Sequence, residues 1–523
     1  RQGGWISMLQ APCRTMMHPV SSPHPLREVV RCQVAVGLPV RAMTIKLERP
    51  AGTKKRSIEE QLKKLKESQE GTASEDTGDA TAKSRDGAKG GTMTLAMRLS
   101  QSLKDPLRSK DFLGQVSKGD IQVECHHHSK FMWLKNPRGL LSEDAVSNLS
   151  ELIQISDTNW YERFGVLKGG EVAFCGGSDS RVLAAMGLAA PEGPCPQMEA
   201  RRGKYELCYL IAKSPKPRIA LMDGNCLGAG AGLVMAHHSV APDREGKAGL
   251  EHYRVATDRT IFSLQHAHFL GMFPGFGLSY FLPKLKGHLG RYLALSGVRI
   301  NGADCLFAGV ATHFMAQHRV DRCFQAITQA SADISEGQLK QILDDHTTTT
   351  LNKEFRSYLQ PPSFYQRYAM SSPAEATHLE ANFDAINRCF GAGTVEEMMG
   401  LLEAEGSEWA ATTLSNIRRM APTALQVTFR LLRQGSSRSL EEALRTEWRL
   451  ARRFYSHPDF FEAVRAFEID KDGAPKWAPA PSPDEVNKMF APMSEAVCRP
   501  LELSQQHLNA AANSTFKKGE MRV

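Results

Sequence analysis

Residues 219–232, IALMDGNCLGAGAG, have the types and order of a cradle for negative charge. Ile219 to Met222 make a short apolar run of the buried-strand kind, closed by the turn pair Asp223-Gly224. Gly228-Ala229-Gly230 then leads into Leu233-Val234-Met235, which reads as the first turn of a buried helix. Gly and Ala at such a junction let backbone N–H groups approach a ligand closely, with the positive end of a helix behind them. The chemistry on offer is stabilisation of an oxyanion or a phosphate. The plainer reading is a tight turn and nothing more.

Such a turn needs elements to hold it. Between about 115 and 320 the pattern alternates strands (130–134, 171–175, 218–222, 253–256) with helices (143–155, 179–186, 205–212, 230–238). That alternation predicts an α/β core with buried strands. Beyond 320 the chain reads as mostly helix, most clearly at 336–345, 378–389, 394–404, 424–433 and 440–454. Cys125-His126-His127-His128 has metal-binding residue types, but it sits between two strand-like runs, and adjacent residues on a hairpin turn seldom converge on one ion.

The chain has 523 residues, 41% hydrophobic and 23% charged, enough for more than one core. No apolar run reaches the roughly 18–20 residues of a membrane span, which argues against a membrane partner. A net charge of +8 permits anionic partners without requiring them. Eleven scattered cysteines with no CxxC pair fit a reducing compartment. Residues 1–56 hold ten Lys/Arg, among them Lys54, Lys55 and Arg56, against only Glu28 and Glu48. This is the composition of a mitochondrial targeting segment, or of a basic arm that binds a polyanion. Residues 57–117 read as a polar linker with short helices, 118–320 as the α/β core, 321–495 as a helical region and 496–523 as a basic tail. Two stretches could serve as contact surfaces. One is the charged loop 241–252. The other is 416–455, where nine arginines face three glutamates. In the latter, Arg418, Arg419, Arg430, Arg433, Arg445, Arg449, Arg452 and Arg453 are candidate phosphate contacts, the alternative being a solvated helix face.

Phe174-Cys175-Gly176-Gly177-Ser178-Asp179-Ser180-Arg181 resembles the FCAGGDIR-type turn of 3-hydroxyisobutyryl-coenzyme A hydrolases, members of the crotonase (enoyl-CoA hydratase/isomerase) superfamily. Residues 228–232 resemble the second glycine-rich turn of that family. Similar signatures follow in order at 280–285 (YFLPKL), 308–314 (AGVATHF), 394–397 (TVEE) and 469–472 (IDKD), so the resemblance runs from about 118 to about 490. It implies an α/β fold, a crotonase-like spiral of ββα units with a helical C-terminal region, here behind a long irregular N-terminal extension. It also implies an oxyanion hole made by the backbone N–H groups of Ser178 and Ala229, which would hold the charge on a thioester carbonyl.

An oxyanion hole needs a partner that moves protons. In the hydrolases that role falls to acids in a PET-type and an FPD-type triplet downstream of the second turn. Here Phe273-Pro274 is followed by Gly275, and the Glu position falls on His266 or Ala267. The hydratases' other glutamate falls at Gly232, and an upstream Glu before a Tyr falls at Lys204. No Asp or Glu occurs between Ile261 and Tyr292, and Ala229 puts a methyl where the family has glycine. These replacements predict a fold kept without its chemistry and with no cofactor. The resemblance, joined to the basic arm, the charged loop and the arginine-rich helices, then implies a structural component of the small subunit of the mitochondrial ribosome, in the matrix, contacting ribosomal RNA and ribosomal proteins. The alternative is an active 3-hydroxyisobutyryl-CoA hydrolase with a rearranged base, for which His266 or His268 is the sequence's candidate. A third reading binds coenzyme A without hydrolysing its thioester.

Overall fold

A computed structural model of the chain describes residues 116–503, apart from 119, 127, 136–138, 160–161, 171–172, 190–194, 239–250, 265–269, 331–333 and 350–377. The strands among these residues are β1 (Val116–Lys118), β2 (Ile121–His126), β3 (Ser129–Leu134), β4 (Phe164–Lys168), β5 (Ala173–Cys175), β6 (Arg218–Met222), β7 (Asn225–Leu227), β8 (Tyr253–Thr257), β9 (Ile261–Ser263), β10 (Arg299–Asn301) and β11 (His313–Met315). They form two sheets. One runs β1-β2-β3-β4-β6-β8-β11, antiparallel through β3 and parallel from there on. The other runs β10-β9-β7-β5, with β5, β7 and β9 parallel.

Between the strands lie α1 (Glu143–Thr158), α2 (Ser180–Ala189), α3 (Pro196–Ala212), α4 (Ala229–Met235), α5 (Leu278–Phe281), α6 (Leu289–Ser296) and α7 (Gly302–Ala308). α8 (Val320–Gln329) and α9 (Glu336–His346) follow β11. The helical region comprises α10 (His378–Ala381), α11 (Phe383–Phe390), α12 (Val395–Glu405), α13 (Glu408–Arg418), α14 (Pro422–Gly435), α15 (Leu440–Phe454), α16 (Pro458–Val464) and α17 (Pro483–Phe490). Its boundaries follow local chemistry: Ser439 and Glu442 close a reciprocal capping box that starts α15 where the sequence places it.

β6 shows why the larger sheet is covered on both faces. Its side chains alternate, Ile219 and Leu221 joining one apolar cluster with α8 and α9, Ala220 and Met222 joining the main core. All five residues of β6 and of β8 are buried. β4, absent from the sequence expectation, carries Gly165 inside the strand. A Cβ there would lie 2.3 Å from Arg218 Nη1, so glycine makes room for a buried guanidinium that pairs with Asp157 and donates to Ser214 Oγ at 3.0 Å. The 125–128 hairpin reading holds, with Cys125 opposite Lys130 and His126 opposite Ser129. The expected helix 378–389 is two helices, α10 and α11, and that at 205–212 is only the second half of α3. No helix of the described residues is long and apolar enough to cross a membrane.

Candidate active site

β5 and β7 are parallel neighbours, so the turns that leave them emerge at the same end of the small sheet. β5 runs into Gly176-Gly177-Ser178 and then α2, while β7 runs into Gly228 and then α4. Glycine is required at three points here. Gly177 and Gly228 have φ of 94° and 55°. A Cβ on Gly230 would stand 2.1 Å from the carbonyl oxygen of Cys175, so α4 can sit against the end of β5 only because that residue has no side chain. A Cβ on Gly177 would lie 3.0 Å from Ala229 N, which measures how closely the two turns face each other. Neither the Ser178 nor the Ala229 N–H has an acceptor among the described residues. An oxyanion requires two such backbone donors on neighbouring turns.

α3 passes beside these turns and presents Arg201, Lys204, Tyr205 and Cys208, spaced three and four apart along one face and all buried. Lys204 Nζ donates to Ser178 Oγ at 2.9 Å. Burial, then the charge of Arg201, lower the Lys204 ammonium to about 8, while Glu143 and Cys175 oppose that fall. Burial pushes the Cys175 thiol up to about 11, so it is inert at neutral pH. Arg201 Nη1 donates to Tyr455 Oη at 2.6 Å, and its guanidinium lies 4.4 Å from the centre of the Phe276 ring. Burial works against the guanidinium's charge, but the oxygens of Tyr455 and Tyr205 more than offset it.

The acid-replacing residues fall into place around this face. A Cβ on Gly275 would be 2.7 Å from Arg201 Nη2 and 3.0 Å from Tyr205 Oη, so α3 fills the space into which a side chain at 275 would project. A Cβ on Gly232 would be 2.8 Å from the Phe276 Cβ, and Phe276 itself holds a left-handed φ of 63°. His266, Ala267 and His268 lie outside the described residues. The structure supplies an acid that the sequence reading passed over. Glu447 of α15 is fully buried and accepts from Gly277 N and Ser279 N, each at 2.9 Å, fixing the turn that carries Gly275 and Phe276.

The model of enoyl-CoA hydratase/isomerase proteins matches residues 130–491. The chain belongs to this family. Curated relatives are the mitochondrial 3-hydroxyisobutyryl-CoA hydrolases of Xenopus laevis, 35% identical over 315 residues (60% of this chain, 72% of that one), and of Homo sapiens, 34% identical over 316 residues (60% and 72%). A solved carnitinyl-CoA dehydratase from Mycobacterium thermoresistibile shares the fold at 24% identity, with a TM-score of 0.60 over 74% of this chain and 100% of that one. The crotonase-type α/β fold with a helical C-terminal region is thus the one the sequence implies.

Family membership corrects one expectation. The replaced acids predict a chain with no enzymatic role, yet the relatives are named as hydrolases, and the family model's match over residues 130–491 includes both glycine turns. The error in the sequence argument is physical. It counted carboxylates at inherited positions and took Lys204 only as the replacement of one of them. The signal that places it was present: Pro196 is a first-turn residue, and a helix from there puts Arg201, Lys204, Tyr205 and Cys208 on one face.

The arginines offered as phosphate contacts are mostly engaged inside the chain. Arg418 pairs with Glu403, and Arg430 bonds Asn487 while its guanidinium lies 4.6 Å from the Phe490 ring centre. Arg433 reaches the Gly393 carbonyl at 3.0 Å, and Arg449 the Thr446 hydroxyl at 3.4 Å. Arg452 and Arg453 bond the carbonyls of Val497 and Ala491 at 3.3 and 2.7 Å. Arg419 and Arg445 stay exposed. Lys54, Lys55 and Arg56 lie outside the described residues, as do residues 504–523.

Proposed function

We propose that this chain is a mitochondrial thioester hydrolase acting on 3-hydroxyisobutyryl-CoA. The observation that carries the reading is the pair of facing turns, Gly177-Ser178 and Gly228-Ala229, at the ends of parallel strands in a chain whose relatives are named for that reaction. The thioester carbonyl oxygen would accept from the Ser178 and Ala229 N–H groups, and attack at its carbon would move negative charge onto that oxygen. Donors held rigidly by the strand ends need no reorganisation when the charge appears, and one such donor is worth about 10²–10³ in rate.

The test is release of free thiol from 3-hydroxyisobutyryl-CoA by the purified full chain. Turnover that scales with protein and exceeds the buffer rate by at least a thousandfold is expected; release at the buffer rate overturns the reading. A second reading concerns placement and not chemistry: attachment to the mitochondrial ribosome through RNA phosphates. Its support is the basic arm over residues 1–56 and the net charge of +8. Co-sedimentation of the tagged chain with mitochondrial ribosomal RNA would support it, and migration only as a small species would end it.

A further inference from the structure

We infer that Ser178 and Lys204 form a serine–lysine pair, with Ser178 Oγ as the nucleophile and Lys204 Nζ as its proton acceptor and donor. The inference rests on the thioester-hydrolase reading and names the groups that carry out the chemistry.

The geometry comes first. Lys204 Nζ stands 2.9 Å from Ser178 Oγ, at the distance a proton transfer needs. Lys204 is 7% exposed, and among the described residues no carboxylate forms an ion pair with it. A lysine buried for structural reasons is held by strong acceptors, as Lys130 is by Glu162 and Lys216 by the carbonyls of Ser156 and Asn159, because an unpaired ammonium is costly away from water. Here the hydrogen-bond partner is a hydroxyl, which accepts from the ammonium and can donate to the neutral amine.

The charged groups around Lys204 favour that neutral form. Arg201, one turn earlier on α3, repels a proton on it; Glu143 at the start of α1 and Cys175 at the end of β5 pull weakly the other way. Burial is the largest influence, and the amine loses its proton at about 8. Ser178 is also placed as a nucleophile should be. The residue that offers Oγ also offers a backbone N–H to the oxyanion, as the reactive serine of serine hydrolases does.

The reaction balances with these groups alone. The neutral amine of Lys204 takes the Ser178 hydroxyl proton while Oγ bonds to the thioester carbonyl carbon. The carbonyl oxygen, now negative, is held by the N–H groups of Ser178 and Ala229. Collapse breaks the carbon–sulfur bond, and the Lys204 ammonium returns its proton to sulfur, leaving free coenzyme A thiol and an ester on Ser178. Water then enters, gives a proton to Lys204 and adds to the ester carbon. The carbon–Oγ bond breaks, Oγ recovers the proton, and the carboxylic acid departs.

The experiment combines thiol release with labelling by a fluorophosphonate, read by peptide mass spectrometry of the full chain. The wild type should be labelled on Ser178, and the label should disappear in Ser178→Ala and in Lys204→Met. Both variants should lose at least a hundredfold in kcat/KM while keeping the wild-type circular dichroism spectrum. Lys204→Arg, which keeps a charge and a donor yet cannot deprotonate, should be equally inactive and unlabelled. The wild-type kcat/KM should rise with pH through about 8. Thiol release by Ser178→Ala within threefold of wild type, or wild-type turnover with Ser178 unlabelled, overturns the pair and leaves the hydrolase reading standing. A labelled Ser178 with no thiol release keeps the pair and overturns the choice of substrate.

Discussion

A side chain at position 275 would point at Arg201, and this gives a direct way to probe the proton-handling groups. The guanidinium of Arg201 helps hold the Lys204 amine neutral. In Gly275→Asp the new Cβ would stand 2.7 Å from Arg201 Nη2 and 3.0 Å from Tyr205 Oη, so the ends of both side chains must shift to admit the carboxylate beside the guanidinium. Partial neutralisation of Arg201 restores affinity for a proton at Lys204, so its pKa moves up from about 8. Because the neutral amine is the working form, the rising limb of kcat/KM against pH should move to higher pH by roughly half a unit to one unit. An unmoved limb would mean that Arg201 and Lys204 are not coupled. Glycine at 275 is thus tied to the charge state of a lysine on a different element. Inspection of position 275 alone cannot reveal this.

Glu447 acts through an element: one carboxylate on α15 fixes the turn between Phe273 and α5 by accepting from Gly277 N and Ser279 N. In Glu447→Ala both buried N–H groups lose their acceptor, which should cost about 2–4 kcal/mol in urea unfolding. Burial raises the Glu447 carboxyl to about 7, against the hydrogen bonds from Ser279 and Gly277 and the charge of Arg201. Between 4.5 and about 7 the folded chain therefore holds a proton that the unfolded chain has released, and stability falls as pH rises through that window. Glu447→Gln should flatten this slope; a slope equal to that of the wild type would assign the titration elsewhere. Elements of this kind were unevenly legible in the sequence. α15 and β6 were readable to the residue, since a capping box and a continuous apolar run each mark their own ends. β7, β9 and β10 have three residues each, too few for a period to register, and only their pairing makes them strands. The two glycine turns at 176–178 and 228–230 were legible because glycine is needed there for backbone reasons. The Ser178–Lys204 contact was not, since it depends on how α3 lies across the end of β5, and no local pattern records that.

At the scale of the molecule, the arginine run between 418 and 453 shows what composition leaves open. A guanidinium that grips phosphate and one that grips backbone carbonyls look alike in sequence, because both need only an acceptor. In this chain the second use prevails on α15. Arg453 holds the carbonyls of Ala491 and Pro492 at 2.7 and 3.4 Å, and Arg452 that of Val497 at 3.3 Å. Trp448 Nε1 and Arg202 hold the next carbonyls, those of Arg499 and Pro500, at 2.8 and 3.0 Å. The segment they retain carries Cys498 and Leu501, both buried against the core. Because Arg202 lies on α3, the segment also ties α15 to the helix that positions Lys204. Replacing Arg452 and Arg453 together by Met keeps the aliphatic stems and removes the donors, so the local closure should weaken while the core stays folded. Each charged hydrogen bond contributes about 1.5–3 kcal/mol, and chymotryptic cleavage within 490–501 should speed up on the order of tenfold or more. A cleavage rate equal to that of the wild type would show that Trp448, Arg202 and the buried Leu501 suffice to hold the segment, and that the two arginines are free for a partner after all.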